Sequence, residues 1–321
     1  MIPTIDISAF RASEPGALSR TAAALREACM TTGFYFIAGH GAAPETVAAA
    51  FVQSRRFHAL PESVKSRVAI NRDQSGWLPV RRHIEPESAI NPGMTINVQE
   101  AYIVNRERPA DHPWVRARRQ FLGPNQWPEG LPGFREAFVA YHDALAQLGE
   151  ALLPLYATAL GLEPGYFAEH FRDGASFFRA LRYPSVPNHD VAPFGSAAHT
   201  DAGFLTFLPA ATGDGLEVLL ANGAWHKVTE RPGMFLVNTG DTLRRWSNET
   251  FVSAPHRVVA PLAADRFSLA FGFNPHFDAE VAPLPTCVAP ERPAVAPPTT
   301  YGDYYRSRIF RLYPHLNEAA S

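Results

Sequence analysis

The eight residues Arg266-Phe267-Ser268-Leu269-Ala270-Phe271-Gly272-Phe273 constrain the fold more than any other stretch of the chain. Side chains of a strand point to opposite faces in turn. Arg266, Ser268, Ala270 and Gly272 therefore share one face, and Phe267, Leu269, Phe271 and Phe273 the other. Alternation this strict is a strong strand signal. The aromatic face has to be buried against a second layer. The small face carries one large group, a guanidinium, and an unpaired buried charge costs several kcal/mol. If that face lines the inside of a barrel, an anionic guest relieves the cost. The arginine fork suits a carboxylate, and Ser268 adds a hydroxyl.

Upstream lies His199-Thr200-Asp201, and between the two stretches lies His256. Residues i and i+2 of a strand face the same way. His199 and Asp201 can thus reach one ion from one strand, or from a strand and its following turn. His256 has to come from a distant strand, and a folded sheet can place it opposite. Two imidazoles and one carboxylate with open coordination positions form the ligand set of a mononuclear non-haem iron(II) site. Zinc accepts the same donors, but zinc has no need of the Arg266-Ser268 pocket.

The rest of the chain supplies strands and helices around these stretches. Residues 2–7, 34–38 and 176–183 read as strands, followed by short β-rich segments at 203–208, 215–220, 224–229, 233–238, 241–246, 251–260 and 266–274. Gly213-Asp214-Gly215, Asn222-Gly223 and Pro232-Gly233 mark turns between them. Many short strands with regular turns indicate a sandwich or barrel. Helices are expected at 16–32, 44–60, 132–160, 164–171 and 300–313. The third carries Phe134, Phe138, Tyr141, Leu145, Leu148, Leu152 and Leu155 at helical spacing. It is the expected cover for the phenylalanine face, with a kink at Pro154. Residues 71–110 show little periodicity and read as an irregular binding loop, with Arg81, Arg82 and His83 as a basic turn.

The fold class is mainly β with flanking helices. The chain reads as one domain, 1–321, with an N-terminal α/β portion (1–130), a central core (175–282) and a proline-rich wrap and helix (283–321). With 29 Lys+Arg against 31 Asp+Glu, nothing electrostatic favours nucleic acid or an anionic membrane as partner. No apolar run reaches the ~18 residues of a membrane span, and the first residues lack a signal-peptide pattern. Cys29 and Cys287 form no disulfide framework, which fits a reducing cytoplasm.

The site residues sit in longer runs: Ala198 to Thr206, Gly215-Leu216-Glu217-Val218, Asn238-Thr239-Gly240-Asp241-Thr242-Leu243, Trp246-Ser247-Asn248, His256-Arg257-Val258 and Arg266-Phe267-Ser268. Together with Ile2-Pro3-Thr4-Ile5-Asp6 and Gly33 to Gly41, they resemble the isopenicillin N synthase-like branch of the 2-oxoglutarate/Fe(II)-dependent dioxygenases. The resemblance implies a double-stranded β-helix (jelly-roll, cupin-like) core. It implies Fe(II) on His199, Asp201 and His256, with 2-oxoglutarate and O2 as co-substrates. Arg266, Ser268 and Tyr183, the last in Leu181-Arg182-Tyr183-Pro184, would hold the far carboxylate of 2-oxoglutarate. Many members carry Asn where this chain has Leu181.

The activity implied is oxidation of a small-molecule metabolite, by default hydroxylation, with release of succinate and CO2. One rival is an oxidase of the same fold that uses no 2-oxoglutarate, performing ring closure or desaturation. Others are a metallohydrolase and a non-catalytic binding protein. Asn238, Gly240 and Asp241 read as a tight turn, Trp246 as core and Arg257 as structural. Leu208 and Phe271 are candidate linings of the co-substrate pocket, and the part played by Asn97 to Glu100 stays open.

Overall fold

The structure is a computed structural model that describes residues 2–80, 84–86, 88–91, 93–190 and 193–312. Arg81, Arg82 and His83 lie outside the described residues. The larger of two principal sheets contains β1 (Thr4–Asp6), β2 (Phe34–Ala38), β3 (Gly76–Leu78), β4 (Glu100–Asn105), β5 (Phe177–Tyr183), β7 (Leu205–Pro209), β10 (Phe235–Thr239) and β12 (Arg266–Phe273). The smaller contains β6 (Phe194–His199), β8 (Leu216–Leu219), β9 (Trp225–Lys227) and β11 (His256–Val259). The orders are β1-β2-β10-β7-β12-β5-β4-β3 and β9-β8-β11-β6. Among these strands only β1 and β2 pair in parallel; the helix between them, α1 (Ala17–Thr31), makes the crossover a parallel pair requires.

β12 behaves as its alternation dictates. Leu269 and Phe271 are fully buried under the long helix α3 (Phe134–Ala159). Tyr141 donates to the Leu269 carbonyl at 3.4 Å, and the His142 ring meets Phe271 edge-on at 5.3 Å. Gly149 lets the helix settle on the sheet, because a Cβ there would lie 2.5 Å from the Phe273 ring. The outer end of the strand is covered by a different helix, α2 (Pro44–His58), whose Arg55 stacks 5.8 Å above Phe267. The long helix continues through Pro154, so the proline does not end it.

Three expectations need correction. Residues 241–246 form a helix, α4 (Asp241–Trp246), not a strand. The sequence reading placed a short β-rich segment here, but backbone bonds to a neighbouring loop fix the first turn of a helix, and Leu243, Arg244 and Arg245 are good helix formers. Residues 71–110 are not irregular throughout: β4 pairs with β5 and β3 with β4, extending the larger sheet, and Ile84–Glu85 pairs with Thr95–Ile96. Both faces of β4 are buried, which erases the period-two signal that marks a half-exposed strand. The segment 251–260 is a strand only from His256 to Val259. The C-terminal helix is α5 (Tyr301–Leu312).

Candidate active site

β6 ends at His199, and Asp201 follows in the loop. His256 opens β11 and stands directly opposite His199 in the antiparallel register. Pairing across two strands therefore brings together histidines 57 positions apart in sequence. His199 Nε2 and His256 Nε2 lie 3.8 Å and 3.7 Å from Asp201 Oδ1. The donor atoms of the three residues all fall within 4.8 Å of one another, the only such group among the described residues.

The outward side of each donor group is already engaged. His199 Nδ1 donates to the Ala197 carbonyl at 2.7 Å and His256 Nδ1 to the Ala254 carbonyl at 3.2 Å, in the tautomer that leaves each Nε2 lone pair facing inward. Asp201 Oδ2 accepts from Thr206 Oγ1 at 2.5 Å and Asn238 Nδ2 at 2.8 Å, and Oδ1 faces the imidazoles. Burial would raise the Asp201 carboxyl, but His256, His199, Asn238 and Thr206 hold it down to about 2. Burial, then the neighbouring His256, lowers the His199 imidazole below its ordinary value. A carboxylate and neutral imidazoles are the forms that coordinate a cation.

Thr206 and Asn238 are themselves cross-strand partners in β7 and β10. Asn238 is a strand residue supporting Asp201, not part of a tight turn. The loop beyond Asp201 is pinned by the first turn of α4. Asp241 N donates to the Asp201 carbonyl at 2.7 Å, Thr242 N to Gly203 at 3.0 Å and Gly240 N to Phe204 at 3.0 Å. Gly240 is needed there, since a Cβ would lie 2.2 Å from the Gly203 oxygen. The Asp241 carboxylate accepts from Thr200 and Tyr304, each at 3.1 Å, and pairs with Arg308 at 3.2 Å. The C-terminal helix α5 is thereby tied to the loop that carries Asp201.

A cavity of about 160 Å3 runs inward from these donors between the two sheets. The small face of β12 lines it with Arg266, Ser268, Ala270 and Gly272. Arg266 is 4% exposed. Its Nε donates to the Gly213 carbonyl at 2.9 Å, and Nη2 lies 3.7 Å from Glu230. The guanidinium is therefore not wholly without a counter-charge, contrary to the simplest expectation. Its Nη1 is buried and has no hydrogen-bond partner among the described residues. Tyr183 stands opposite Arg266 in the register, with its ring 5.2 Å from the guanidinium. Leu208 and Leu181 line the same cavity. Phe271 does not; it lies in the core against Phe207 and His142.

A second, wider cavity of about 550 Å3 opens from His199 and Asp201 toward the surface. Gln74, Glu85, Ile90 and Ile103 from the 71–110 region line it, together with Tyr305 and Arg308 of α5. The contribution of the C-terminal helix is not visible in its own sequence, because it depends on where the helix docks. Asn97 and Glu100 also acquire roles. Asn97 Oδ1 accepts from Ala197 N at 2.7 Å, bracing β6 just before His199. Glu100 collects Lys65 at 2.5 Å, Trp77 at 2.6 Å and Arg182 at 3.0 Å. Arg257 is structural, bound to Glu217 at 2.7 Å and stacked 4.0 Å over Trp225.

Two sheets enclosing two histidines, a carboxylate and an anion pocket define the class of a non-haem iron oxygenase on a jelly-roll core. Residues 174–275 match the model of the 2OG-Fe(II) oxygenase superfamily. Residues 2–130 match that of the non-haem dioxygenase in morphine synthesis N-terminal region. The 2-oxoglutarate-Fe(II) type oxidoreductase hxnY of Emericella nidulans is 30% identical over 97% of this chain and 90% of its own. A full-length Neurospora crassa protein solved in complex with alpha-KG and thymine superposes with a TM-score of 0.84 at 26% identity, covering 97% of each chain. JOX2 solved with 2OG, Fe and JA superposes at 0.77 and 28% identity, covering 96% of this chain and 84% of that one. The chain belongs to the 2-oxoglutarate/Fe(II)-dependent oxygenase superfamily. It is an oxidoreductase that uses Fe(II), 2-oxoglutarate and O2.

Proposed function

We propose that this enzyme hydroxylates a small-molecule metabolite, that His199, Asp201 and His256 hold its Fe(II), and that Arg266, Ser268 and Tyr183 hold the distal carboxylate of 2-oxoglutarate. One observation carries the reading. Three uncommitted donor atoms converge at one end of the inner cavity, and a buried, partly unsatisfied guanidinium waits at the other. Bound Fe(II) and 2-oxoglutarate supply O2 activation, coupling loss of CO2 from the 2-oxoacid to oxidation of a substrate carbon.

The protein's own contribution is positional. With three ligands from the protein, bound Fe(II) would keep positions open for the 2-oxoacid and O2. Thr206 and Asn238 turn one oxygen of Asp201 toward the metal position. Leu181, Leu208 and Val258 give the inner cavity an apolar side. Leu181, where many members carry Asn, leaves the co-substrate carboxylate to Arg266, Ser268 and Tyr183. The wider cavity takes the metabolite. The chain works as one unit, because β4 of its N-terminal part pairs directly with β5 of its core, and β3 adds on beyond β4. No helix among the described residues is long and apolar enough to cross a membrane, and with balanced charge and two free thiols the cytoplasm is the compartment we assign.

Arg266→Gln tests the anion pocket. Removing one partner of a buried charge pair costs at least ~2 kcal/mol, so KM for 2-oxoglutarate in the succinate-forming assay rises on the order of thirtyfold while Fe(II) affinity is retained. An unchanged KM would place the co-substrate elsewhere.

A further inference from the structure

One partly buried cation has no task in metal or co-substrate binding. β5 places Arg179 between Ile103 of β4 and Ala270 of β12, on the face that looks into the barrel. Its Nε and Nη2 are buried and have no hydrogen-bond partner among the described residues. These two atoms form one edge of the guanidinium, the edge that accepts a carboxylate side-on through two parallel bonds. A desolvated guanidinium edge without an acceptor is costly, as it is for Arg266.

The two arginines face different spaces. Arg266 lines the inner cavity, whereas Arg179 lies where the inner and outer cavities meet and lines both. Arg308 lines only the outer one. It is held from behind by Asp241 at 3.2 Å and the Thr200 carbonyl at 3.1 Å, so its position is fixed. Glu85 also faces the outer cavity and is itself partnered. The other walls are largely apolar, with Ile90, Ile103, Phe177, Pro255, Ile309 and Leu312. An oxyanion against Arg179 with an apolar body against these walls fits the space. A phosphate dianion fits less well, because Glu85 and Asp201 stand in the same wall.

We propose that Arg179 is the specificity-determining residue for the oxidised substrate, and that this substrate is a small carboxylic acid with an apolar skeleton. The proposal rests on the reading of the outer cavity as the substrate site. The carboxylate sits on the Nε–Nη2 edge of Arg179, with Arg308 adding long-range attraction. The carbon skeleton then lies across the mouth of the metal-ligand cluster.

The test uses matched pairs of simple acids and their primary amides: phenylacetate and phenylacetamide, 3-phenylpropionate and its amide, hexanoate and hexanamide. Binding of each is measured by calorimetry to the full-length protein, both metal-free and loaded anaerobically with Fe(II) and 2-oxoglutarate. In the loaded protein the visible absorption of the complex is followed as well. Wild type is expected to bind acids better than amides in both forms. Arg179→Gln is expected to weaken acid binding at least about tenfold, leaving amide binding and 2-oxoglutarate affinity unchanged. Arg179→Lys, which keeps the charge but loses the two-pronged edge, falls between. Acid preference without any visible band would contradict the metal and co-substrate assignment while supporting Arg179. A normal band with amides bound as well as acids, with no acid bound at all, or with Arg179→Gln weakening 2-oxoglutarate instead, would overturn the proposal.

Discussion

Asp201 illustrates how a ligand residue is made from its neighbours. Its Oδ2 is occupied by Thr206 and Asn238, so only Oδ1 is presented to the two imidazoles. Groups that orient a metal ligand matter nearly as much as the ligand itself. Asn238→Leu keeps the strand and removes one of these bonds. Its Fe(II) affinity, measured by anaerobic metal titration, is expected to fall by about 10- to 100-fold with the fold intact by circular dichroism. An unchanged affinity would show that Thr206 alone suffices. Glu100 is a second residue whose surroundings decide its state. Burial alone would raise its carboxyl, but contacts with His58, Lys65 and Trp77 hold it well below the usual range. A carboxyl with a depressed folded-state pKa stabilises fully above its unfolded value of about 4.3, and the contribution is lost as pH falls through the folded value. Glu100→Gln should therefore destabilise at pH 7 on the order of 3 kcal/mol, as removal of one member of a buried charge cluster does. The gap between the two urea midpoints stays constant down to about pH 5 and closes below about 4.3. A gap that widens in acid would contradict the assignment.

At the scale of elements, α4 and β12 teach opposite lessons. β12 was legible because one of its faces is uniformly aromatic and the other uniformly small around Arg266. Its environment differs sharply across the sheet, and sequence records that contrast. The His-x-Asp pair was legible for the same reason of short spacing. That a sheet could set His256 opposite them was expected from the sequence, whereas the register that pairs it with His199 itself is a tertiary property. The helix at Asp241–Trp246 was read as a short β-rich segment, and its purpose, fixing the carbonyls of Asp201, Gly203 and Phe204, depends on a loop far away in sequence. β4 was missed because burial on both faces leaves no alternation. The contact of α4 with the loop also gives a prediction. Gly240→Ala places a methyl 2.2 Å from the Gly203 oxygen, which is backbone and cannot swing aside. The loop that carries Asp201 has to shift, so Fe(II) affinity and thermal stability fall together. Gly149→Ala places its methyl 2.5 Å from the Phe273 ring, at the other side of the sheet. It is expected to cost ~1–3 kcal/mol by denaturant titration with metal affinity unchanged. Equal effects of both variants on metal binding would sink the distinction.

For the molecule as a whole, a narrow inner cavity lies between the two sheets and a wider one opens outside it, and His199 and Asp201 line both. The N-terminal part contributes strands to the larger sheet and walls to the outer cavity, and the C-terminal helix closes over the ligand loop through Asp241. His199, Asp201, His256, Arg266 and Ser268 were singled out by residue type in the sequence, and the fold brings them to one cavity. The outer cavity was not legible, since its lining is gathered from residues between Gln74 and Leu312. The most direct measurement follows the visible spectrum of the Fe(II)-loaded protein under anaerobic conditions as 2-oxoglutarate is added. A saturable charge-transfer band should appear for wild type and persist in Arg266→Gln only at higher 2-oxoglutarate. It should be absent in His256→Ala. A wild-type protein that binds Fe(II) yet shows no band at any 2-oxoglutarate concentration would contradict the account.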